Sequence, residues 1–180
     1  MREVNPIMSL SVFVALSILL LPLSWDSLKK PRSHGFTRFF AFECILILII
    51  LNVPHWFEDP FCSRQIISWL LLGISLSLAL HGFHLLRIVG RPSGSFENTT
   101  QLVAVGAYRR IRHPLYASLL AGTWGVFMKD LSPIGLVIAV ACSLFLFLTA
   151  RREEGENLAR FGTEYAAYMA RTRMFIPYLC

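Results

Sequence analysis

Two polar segments of this sequence contain the residue types that could do chemistry, and each lies beside a long apolar run. The first segment, residues 106–116, contains Arg112, His113 and Pro114, and the second, residues 151–177, opens with two arginines followed by Glu153 and Glu154. A helix that starts at proline offers free N–H donors and the positive end of its dipole to an anionic group. A carboxylate can accept two hydrogen bonds from vicinal hydroxyls, as on a ribose. The two segments therefore indicate a site for an anionic group and a sugar.

Each segment also has a purely structural interpretation. Arginine and histidine at a helix end can anchor that end among lipid headgroups. Side chains at helical spacing in the second segment are typical of an amphipathic helix on a membrane surface: Leu158, Phe161, Tyr165 and Tyr168. On this interpretation the two glutamates are solvated charges. The residues of the two segments, taken alone, leave both interpretations open.

Long apolar runs must position these segments. Of the 180 residues, 55% are apolar or aromatic and only 16% are charged, whereas soluble domains average about 25% charged residues; the mean hydropathy is +0.57. Runs at approximately residues 6–24, 39–54, 66–89, 114–128 and 133–150 predict an all-α integral membrane protein, a single domain over residues 1–180, with about five transmembrane helices and a cytosolic helical tail. The short connection between the last two runs predicts an antiparallel hairpin, which brings residues 112–114 close to residues 153–154.

Positive charges are divided unequally between the two ends of such a bundle. If the five spans alternate, fourteen of the 17 Lys and Arg residues lie on one side and three on the other. Positively charged loops stay in the cytosol, so we expect an outside amino terminus, a cytosolic carboxyl terminus and an active site on the cytosolic face. The basic residues then reflect topology, and we expect no nucleic-acid partner. The four cysteines show no metal-ligand spacing, so no metal site is expected.

In order along the chain, the two segments resemble the isoprenylcysteine carboxyl methyltransferase family and, more widely, the related membrane phospholipid methyltransferases. The resemblance covers roughly residues 85–177, about half of the chain. It is carried by these motifs: Gly106-x-Tyr108, Arg112-His113-Pro114-x-Tyr116, Glu153-Glu154, Phe161-Gly162-x-Glu164-Tyr165-x-x-Tyr168 and Arg171-Thr172-x-Met174-Phe175-Ile176-Pro177. Many relatives have Gly-Pro-Tyr where this chain has Ala107 in the middle position, but the glycine and the tyrosine remain.

The resemblance implies methyl transfer from S-adenosylmethionine to a lipophilic or membrane-partitioning acceptor, most like carboxyl O-methylation of isoprenylcysteine. It places the cofactor against regions 101–116 and 151–177, without a G-x-G-x-x-G fingerprint, which the chain lacks. The implied cofactor-binding residues are Gln101, Leu102, Val103, Gly106, Tyr108, Arg112, His113, Pro114, Tyr116, Glu153 and Glu154. The implied catalytic residues are Arg171 and His113; the latter could contact the cofactor or take a proton from an amine or a thiol.

The acceptor and two rival functions stay open at this point. A prenylated cysteine carboxylate, a phospholipid amine, a quinone-like or isoprenoid hydroxyl and a small thiol all suit an enzyme surrounded by membrane lipids. An NADPH-dependent reductase of the sterol-reductase kind shares Arg-His-Pro-x-Tyr, but it typically has Asn and Glu where this chain has Leu115 and Leu119. A non-catalytic membrane protein is the other rival, against which the intact Glu-Glu and Arg-His-Pro groups argue. The oligomeric state is not indicated.

A few polar residues lie within or at the ends of the apolar runs. Glu43 is an acid deep in the second run, where acids are functional candidates or pair with a neighbouring helix; His81 and His84 are two candidate partners for such a pair. Together with Arg87, these two histidines predict either interhelical hydrogen bonds or the polar lining of a substrate entrance.

Overall fold

A computed structural model describes residues 6–92 and 99–177, apart from the side chains of Pro6 and Leu23. Within these residues the chain forms six α-helices and no strand: α1 (Pro6–Leu28), α2 (His34–Asn52), α3 (Ser63–Ile88), α4 (Pro114–Phe127), α5 (Pro133–Phe161) and α6 (Thr163–Arg171). Short 3-10 turns cover Val53–His55 and Gly106–Arg109. The predicted all-α fold is confirmed.

Three of the described helical stretches are long and apolar enough to cross a membrane: His34–His55, Ser63–Ile88 and Pro133–Phe161. The described apolar stretch of α1, Ile7–Pro22, is shorter. α4 has 14 residues, and at 1.5 Å per residue it is about 21 Å long against a hydrocarbon core of about 30 Å. Length therefore supports three of the five predicted spans, whereas α4 is too short to cross by itself.

The last long helix does not end where the apolar run ends. The sequence predicts a span at residues 133–150 and a separate surface helix after it, but α5 continues to Phe161. Arg, Glu, Leu and Ala dominate the added turns, and all are good helix formers, so the helix continues through Gly155 and Asn157. Gly162 then adopts φ +55°, a conformation that favours glycine, and separates α5 from α6.

α2 and α5 pack along one another through small side chains. Ala41, Cys142 and Ala150 are fully buried, and Leu146 fills the space between them. Helices in membranes associate through close packing and cross-helix hydrogen bonds, because lipid tails are as apolar as leucine. Such a bond runs from Thr149 Oγ1 to Thr37 Oγ1 at 2.9 Å.

α3 and α4 form the second closely packed pair. A Cβ atom added at Gly82 would lie 3.1 Å from a Leu115 methyl group, and one at Gly125 would lie 3.1 Å from Leu72. The Ser68 hydroxyl donates to the Gly125 carbonyl at 2.6 Å. α4 also packs against α5 after the short turn that the hairpin prediction requires, so that prediction is confirmed.

Glu43 pairs with α1 and not with the predicted histidines. Ser17 Oγ donates to Glu43 Oε2 at 2.7 Å, while the other carboxylate oxygen is buried and has no hydrogen-bond partner among the described residues. Pairing with a neighbouring helix is confirmed, but His81 and His84 are the wrong partners, because Glu43 lies on the side of α2 that meets α1.

At the opposite end of the bundle from the two polar segments, the α4–α5 turn holds a buried lysine. Lys129 is 0% exposed, and its Nζ donates to Gln65 Oε1 at 2.8 Å. The same atom lies 3.3 Å from the ring centroid of Trp69 and 5.2 Å from that of Trp56. The Arg64 guanidinium donates to the Lys129 carbonyl. These contacts hold the turn against the start of α3.

Candidate active site

A cavity of about 430 Å³ lies where α2, α3, α4, α5 and α6 approach one another. Seven of the predicted site residues line it: Leu102, Val103, Tyr108, Arg112, His113, Tyr116 and Glu153. Its α3 wall is apolar and consists of Ala79, Leu80, Phe83 and Leu86. The cavity therefore joins a polar wall to an apolar one.

The other predicted site residues lie around this cavity without lining it. Pro114 and Glu154 are buried beside it, whereas Gln101 and Gly106 are exposed. Arg171 is also exposed, and its Nε donates to the carbonyl of Ala167 within α6. The structure thus brings the Arg-His-Pro and Glu-Glu groups together, as predicted, and leaves Arg171 outside their contacts.

Arg112 and Glu154 form a buried ion pair. Arg112 Nε donates to Glu154 Oε1 at 2.6 Å, and the two side chains are 11% and 3% exposed. Arg112 Nη1 also donates to the carbonyls of Thr172 at 2.5 Å and Met169 at 3.3 Å. A buried charge needs this degree of compensation. The Arg112 side chain therefore has a structural role, because it joins the loop before α4 to α5 and to the end of α6.

Glu153 has a different environment from its neighbour. Successive residues of an α-helix point about 100° apart, and Glu153 faces the cavity while Glu154 points behind the wall. The Tyr116 hydroxyl donates to Glu153 Oε2 at 2.5 Å. Glu153 therefore presents a carboxylate, fixed by α4, to whatever occupies the cavity.

His113 lies between the two glutamates. Its Nδ1 is 3.9 Å from Glu153 Oε2 and its Nε2 is 3.5 Å from Glu154 Oε1, with the side chain 3% exposed. Nε2 makes no hydrogen bond to any described residue. The imidazole stacks on the Tyr116 ring, with centroids 5.4 Å apart and planes inclined by 22°. A buried polar atom without a hydrogen bond is uncommon, and this one belongs to a side chain that lines the cavity.

The segment after α6 pairs with the loop before α4. Arg112 N donates to the Arg173 carbonyl at 2.7 Å, and His113 N donates to the Met174 carbonyl at 3.1 Å. Arg173 N donates in turn to the Arg110 carbonyl at 3.0 Å. Residues 173–174 therefore fix the backbone of the Arg-His-Pro group directly.

Besides Tyr116, three buried tyrosines line the cavity: Tyr108, Tyr165 and Tyr168. Burial raises the pKa of Tyr108, with a further contribution from the negative charge of Glu153, and burial also raises the pKa of Tyr168. Burial raises the pKa of Tyr165 to about 12. These phenols are neutral at physiological pH, and the Tyr168 hydroxyl donates to the Tyr108 carbonyl at 2.6 Å. Neutral aromatic faces of this kind attract cations.

Gly106 allows the loop to approach α3. Its φ is +59°, and a Cβ there would lie 2.7 Å from both His81 Nε2 and Leu85 Cδ1. The Ala107 N–H points at His81 Nε2 across 3.4 Å. The hydrogen bond to His81 thus comes from the loop before α4 and not from another α-helix, and none of His81, His84 and Arg87 lines the cavity. A polar substrate entrance formed by these side chains is not found, because α3 turns its apolar face to the cavity.

Sequence reasoning missed several cavity residues. Asn157 and Phe161 follow Glu153 at intervals of four on α5 and line the same wall; extending the helical period from Glu153 would have identified them. Arg38 and Phe42 contribute from α2, and no sequence signal links them to the two polar segments. Over the described ranges 6–92 and 99–177, no group of three or more His, Cys, Asp or Glu side chains could hold a metal ion.

The helical bundle and the paired Arg-His-Pro and Glu-Glu groups agree with the class of membrane methyltransferases that the sequence resembles. The model of the phospholipid methyltransferase family matches residues 63–164, and this chain belongs to that family. This membership favours methyl transfer over the rival reductase function.

Individual relatives include two proteins named for metal resistance and one named for methyl transfer. The nickel-cobalt-cadmium resistance protein NccN of Alcaligenes xylosoxydans xylosoxydans is 29% identical over 159 residues, which is 88% of this chain and 70% of the relative. The cobalt-zinc-cadmium resistance protein CzcN of Cupriavidus metallidurans is 31% identical over 136 residues, or 75% of this chain and 59% of the relative. Methanethiol S-methyltransferase 1 of Bradyrhizobium diazoefficiens is 25% identical over 166 residues, or 83% and 56% respectively. Two of these three matches thus span less than two thirds of the relative.

Proposed function

We propose that this chain is an integral membrane enzyme that uses S-adenosylmethionine to methylate a lipophilic acceptor, most like carboxyl O-methylation of isoprenylcysteine. The observation that carries the proposal is the cavity itself. It joins the Glu153 carboxylate and the His113 imidazole to an apolar wall that includes Leu80 and Phe83. A polar cofactor and an apolar acceptor need such a combination in one site.

The residues of the polar wall fit the proposed cofactor. Glu153 is placed to accept hydrogen bonds from ribose hydroxyls or from an ammonium group, and the His113 imidazole lines the same wall. The faces of Tyr108 and Tyr165 suit a sulfonium cation. When bound, S-adenosylmethionine supplies a methyl group activated by positively charged sulfur.

The chain contributes mainly orientation and exclusion of water. The Arg112–Glu154 pair and the paired backbone of residues 173–174 hold His113 in place. Apolar side chains of α3 and α4 keep water away from the acceptor. Positioning alone supplies a large share of the acceleration when the leaving group is already good. A carboxylate acceptor needs no base, whereas a thiol must lose its proton, and His113 is the cavity-lining imidazole that suits this step.

The orientation in the membrane is part of the proposal. The excess of Lys and Arg on one side of the predicted spans supports an outside amino terminus, a cytosolic carboxyl terminus and a site on the cytosolic face. The cofactor then enters from the cytosol while the acceptor partitions from the bilayer.

A small thiol is a second candidate acceptor. It is supported by the Bradyrhizobium diazoefficiens relative, whose name is methanethiol S-methyltransferase 1. The proximity of His113 to the cavity suits a thiol, since that acceptor needs a base.

Purified protein with methyl-labelled S-adenosylmethionine tests the proposal. Three acceptors separate the alternatives: a farnesylcysteine analogue, total lipid and a volatile thiol. We expect labelled farnesylcysteine ester, and we expect Glu153→Gln to weaken cofactor binding by about tenfold, the effect of one hydrogen bond to a charged group. Glu164→Gln is the matched control, because Glu164 is exposed at the same end of the molecule and does not line the cavity.

The proposal fails if the wild-type protein does not bind S-adenosylmethionine. It also fails if neither Glu154→Ala nor His113→Ala changes binding or turnover. Label in the thiol alone would favour the second candidate.

A further inference from the structure

One charged cavity residue has no part in the methyl transfer proposed above. Arg38 lies near the start of α2 and lines the cavity together with Phe42, which follows it by one helical turn. Its guanidinium carbon is 5.9 Å from the centroid of the Phe42 ring. Arg38 is four positions after the first residue of α2, His34, so it lies about 6 Å along the helix axis. This position is at the border between the polar and apolar walls.

The two lining arginines differ in their surroundings. Arg112 is bonded to Glu154 and to two backbone carbonyls. Arg38 hydrogen-bonds the Tyr116 hydroxyl, which itself donates to Glu153. A guanidinium carries five N–H donors in a planar fork. Arg38 can therefore bind an incoming anion while it keeps the contacts that it has.

The side chains beside Arg38 indicate what such an anion would be attached to. Phe42 follows on α2, Leu80 lies across on α3 and Leu119 on α4, and all three line the cavity. An inorganic anion would gain nothing from these apolar surfaces. A molecule with a negatively charged end and an apolar remainder would bury its apolar part against them.

We infer that Arg38 binds the negatively charged reacting end of an apolar acceptor and thereby selects anionic acceptors over neutral ones. The inference rests on the proposed function and assigns to Arg38 the choice of acceptor charge. A planar carboxylate is the anion that matches the guanidinium fork in bidentate geometry.

The charge balance of the transfer agrees with this role. A lone pair of the acceptor carboxylate oxygen forms the new C–O bond, the methyl C–S bond breaks, and its electron pair stays on sulfur. One negative and one positive charge become a neutral ester and a neutral thioether, and no proton is released. The transfer thus needs no base, and Glu153 can keep the hydrogen bond that it accepts from Tyr116.

The test compares a charged and a neutral ligand with the same tail. N-acetyl-S-farnesylcysteine is the carboxylate acceptor, and its carboxamide is a neutral competitor that cannot be methylated. In Arg38→Gln we expect the KM for the carboxylate to rise about tenfold, the loss of one charge-assisted hydrogen bond. The Ki of the carboxamide and the Kd of S-adenosylmethionine should change less than about twofold, within the usual effect of a remote substitution.

Two further variants complete the experiment. Arg38→Lys keeps the charge without the fork and should recover part of the affinity for the carboxylate. Arg32→Gln removes an exposed arginine from the connection between α1 and α2 that does not line the cavity, and it should leave all three constants unchanged.

The outcomes distinguish this inference from the function on which it rests. If Arg38→Gln retains methyl transfer and weakens the carboxylate and the carboxamide equally, or weakens only S-adenosylmethionine, acceptor selection by Arg38 is wrong and the methyltransferase function stands. If the wild-type protein does not bind S-adenosylmethionine, both proposals fall.

Discussion

Arg112 Nε and Glu154 Oε1 lie 2.6 Å apart, and both side chains are almost completely withdrawn from solvent. The pair links the loop before α4 to α5, and the further bonds of Arg112 to the Thr172 and Met169 carbonyls add the end of α6. Three parts of the chain that are distant in sequence therefore meet at one guanidinium. The same contact fixes the neighbours of this pair, His113 and Glu153, at the cavity wall.

Glu154→Gln should destabilise the fold more than it affects ligand contacts. The substitution leaves the Arg112 charge buried without its counter-charge, and breaking a buried pair in this way costs about 3–5 kcal/mol. Unfolding in detergent micelles measures the loss. The double variant Arg112→Met/Glu154→Leu, which removes both charges, should recover only part of it, because the Thr172 and Met169 carbonyls still lose their donor. A loss below about 1 kcal/mol for Glu154→Gln would show that the pair contributes no more than a surface ion pair.

Tyr116→Phe should weaken cofactor binding with little effect on the fold. The phenol donates to Glu153 Oε2, and without this bond the carboxylate loses its fixed orientation. We expect the Kd of S-adenosylmethionine to rise about fivefold to tenfold, and the free energy of unfolding to fall by about 1 kcal/mol. Equilibrium binding and detergent unfolding measure the two quantities. An unchanged Kd would mean that the hydrogen bond from Tyr116 is not needed to orient the Glu153 carboxylate for cofactor binding.

Gly106→Ala should lower the free energy of unfolding, and Gly155→Ala should raise it. At Gly106 the alanine meets His81 and Leu85 at 2.7 Å and must adopt φ +59°, which costs about 1–2 kcal/mol for an L-residue. Gly155 lies within α5 with nothing within 4 Å of an added Cβ. Alanine there should stabilise the helix by about 0.5–1 kcal/mol. Thermal unfolding of both variants tests the pair, and equal shifts would refute the assigned role of Gly106.

Lys129→Met should destabilise the end of the bundle opposite the cavity. It leaves Gln65 Oε1 without its donor and removes the cation from the faces of Trp69 and Trp56. We expect a loss of about 1–3 kcal/mol with an unchanged Kd for S-adenosylmethionine, because the turn is remote from the cavity. Lys30→Met, at an exposed lysine, is the control and should shift unfolding by less than about 0.5 kcal/mol. Equal unfolding curves for the two variants would contradict a structural role of Lys129.

Arg171→Ala tests the catalytic role that the family resemblance implies. The side chain is exposed and bonds within its own helix, so we expect turnover to fall less than about twofold, as for an ordinary surface substitution. His113→Ala, at a side chain that lines the cavity, should lower turnover much more. A loss for Arg171→Ala as large as that for His113→Ala would place Arg171 in the reaction.

Local rules explain how much of this fold and site could be predicted. Proline at the first positions of α4 and α5 marks both helix starts, and the short turn between these helices is enough to bring Arg112 to Glu154. These are consequences of chain connectivity and of the missing proline N–H. The meeting of the Arg-His-Pro and Glu-Glu groups was therefore predictable.

Packing decided what local rules could not. Sequence alone treats Glu153 and Glu154 as equivalent, whereas the rotation of α5 against α4 turns one into the cavity and buries the other. The reach of Arg38 into the site depends on how α2 lies against α5. No sequence motif predicts the rotation of α5 against α4 or the packing of α2 against α5. The partner of Glu43 was mispredicted for the same reason, since helix order along the chain does not fix which faces meet.

The pairing of residues 173–174 with the Arg-His-Pro backbone also has a consequence for biosynthesis. All six helices precede these residues in the chain, so every helix has been synthesised before the segment that completes the site. A nascent chain that stops within α6 already has its bundle but lacks the two carbonyls that hold Arg112 and His113. The site is therefore assembled last, and an incomplete translation product gives a membrane protein without a finished binding pocket.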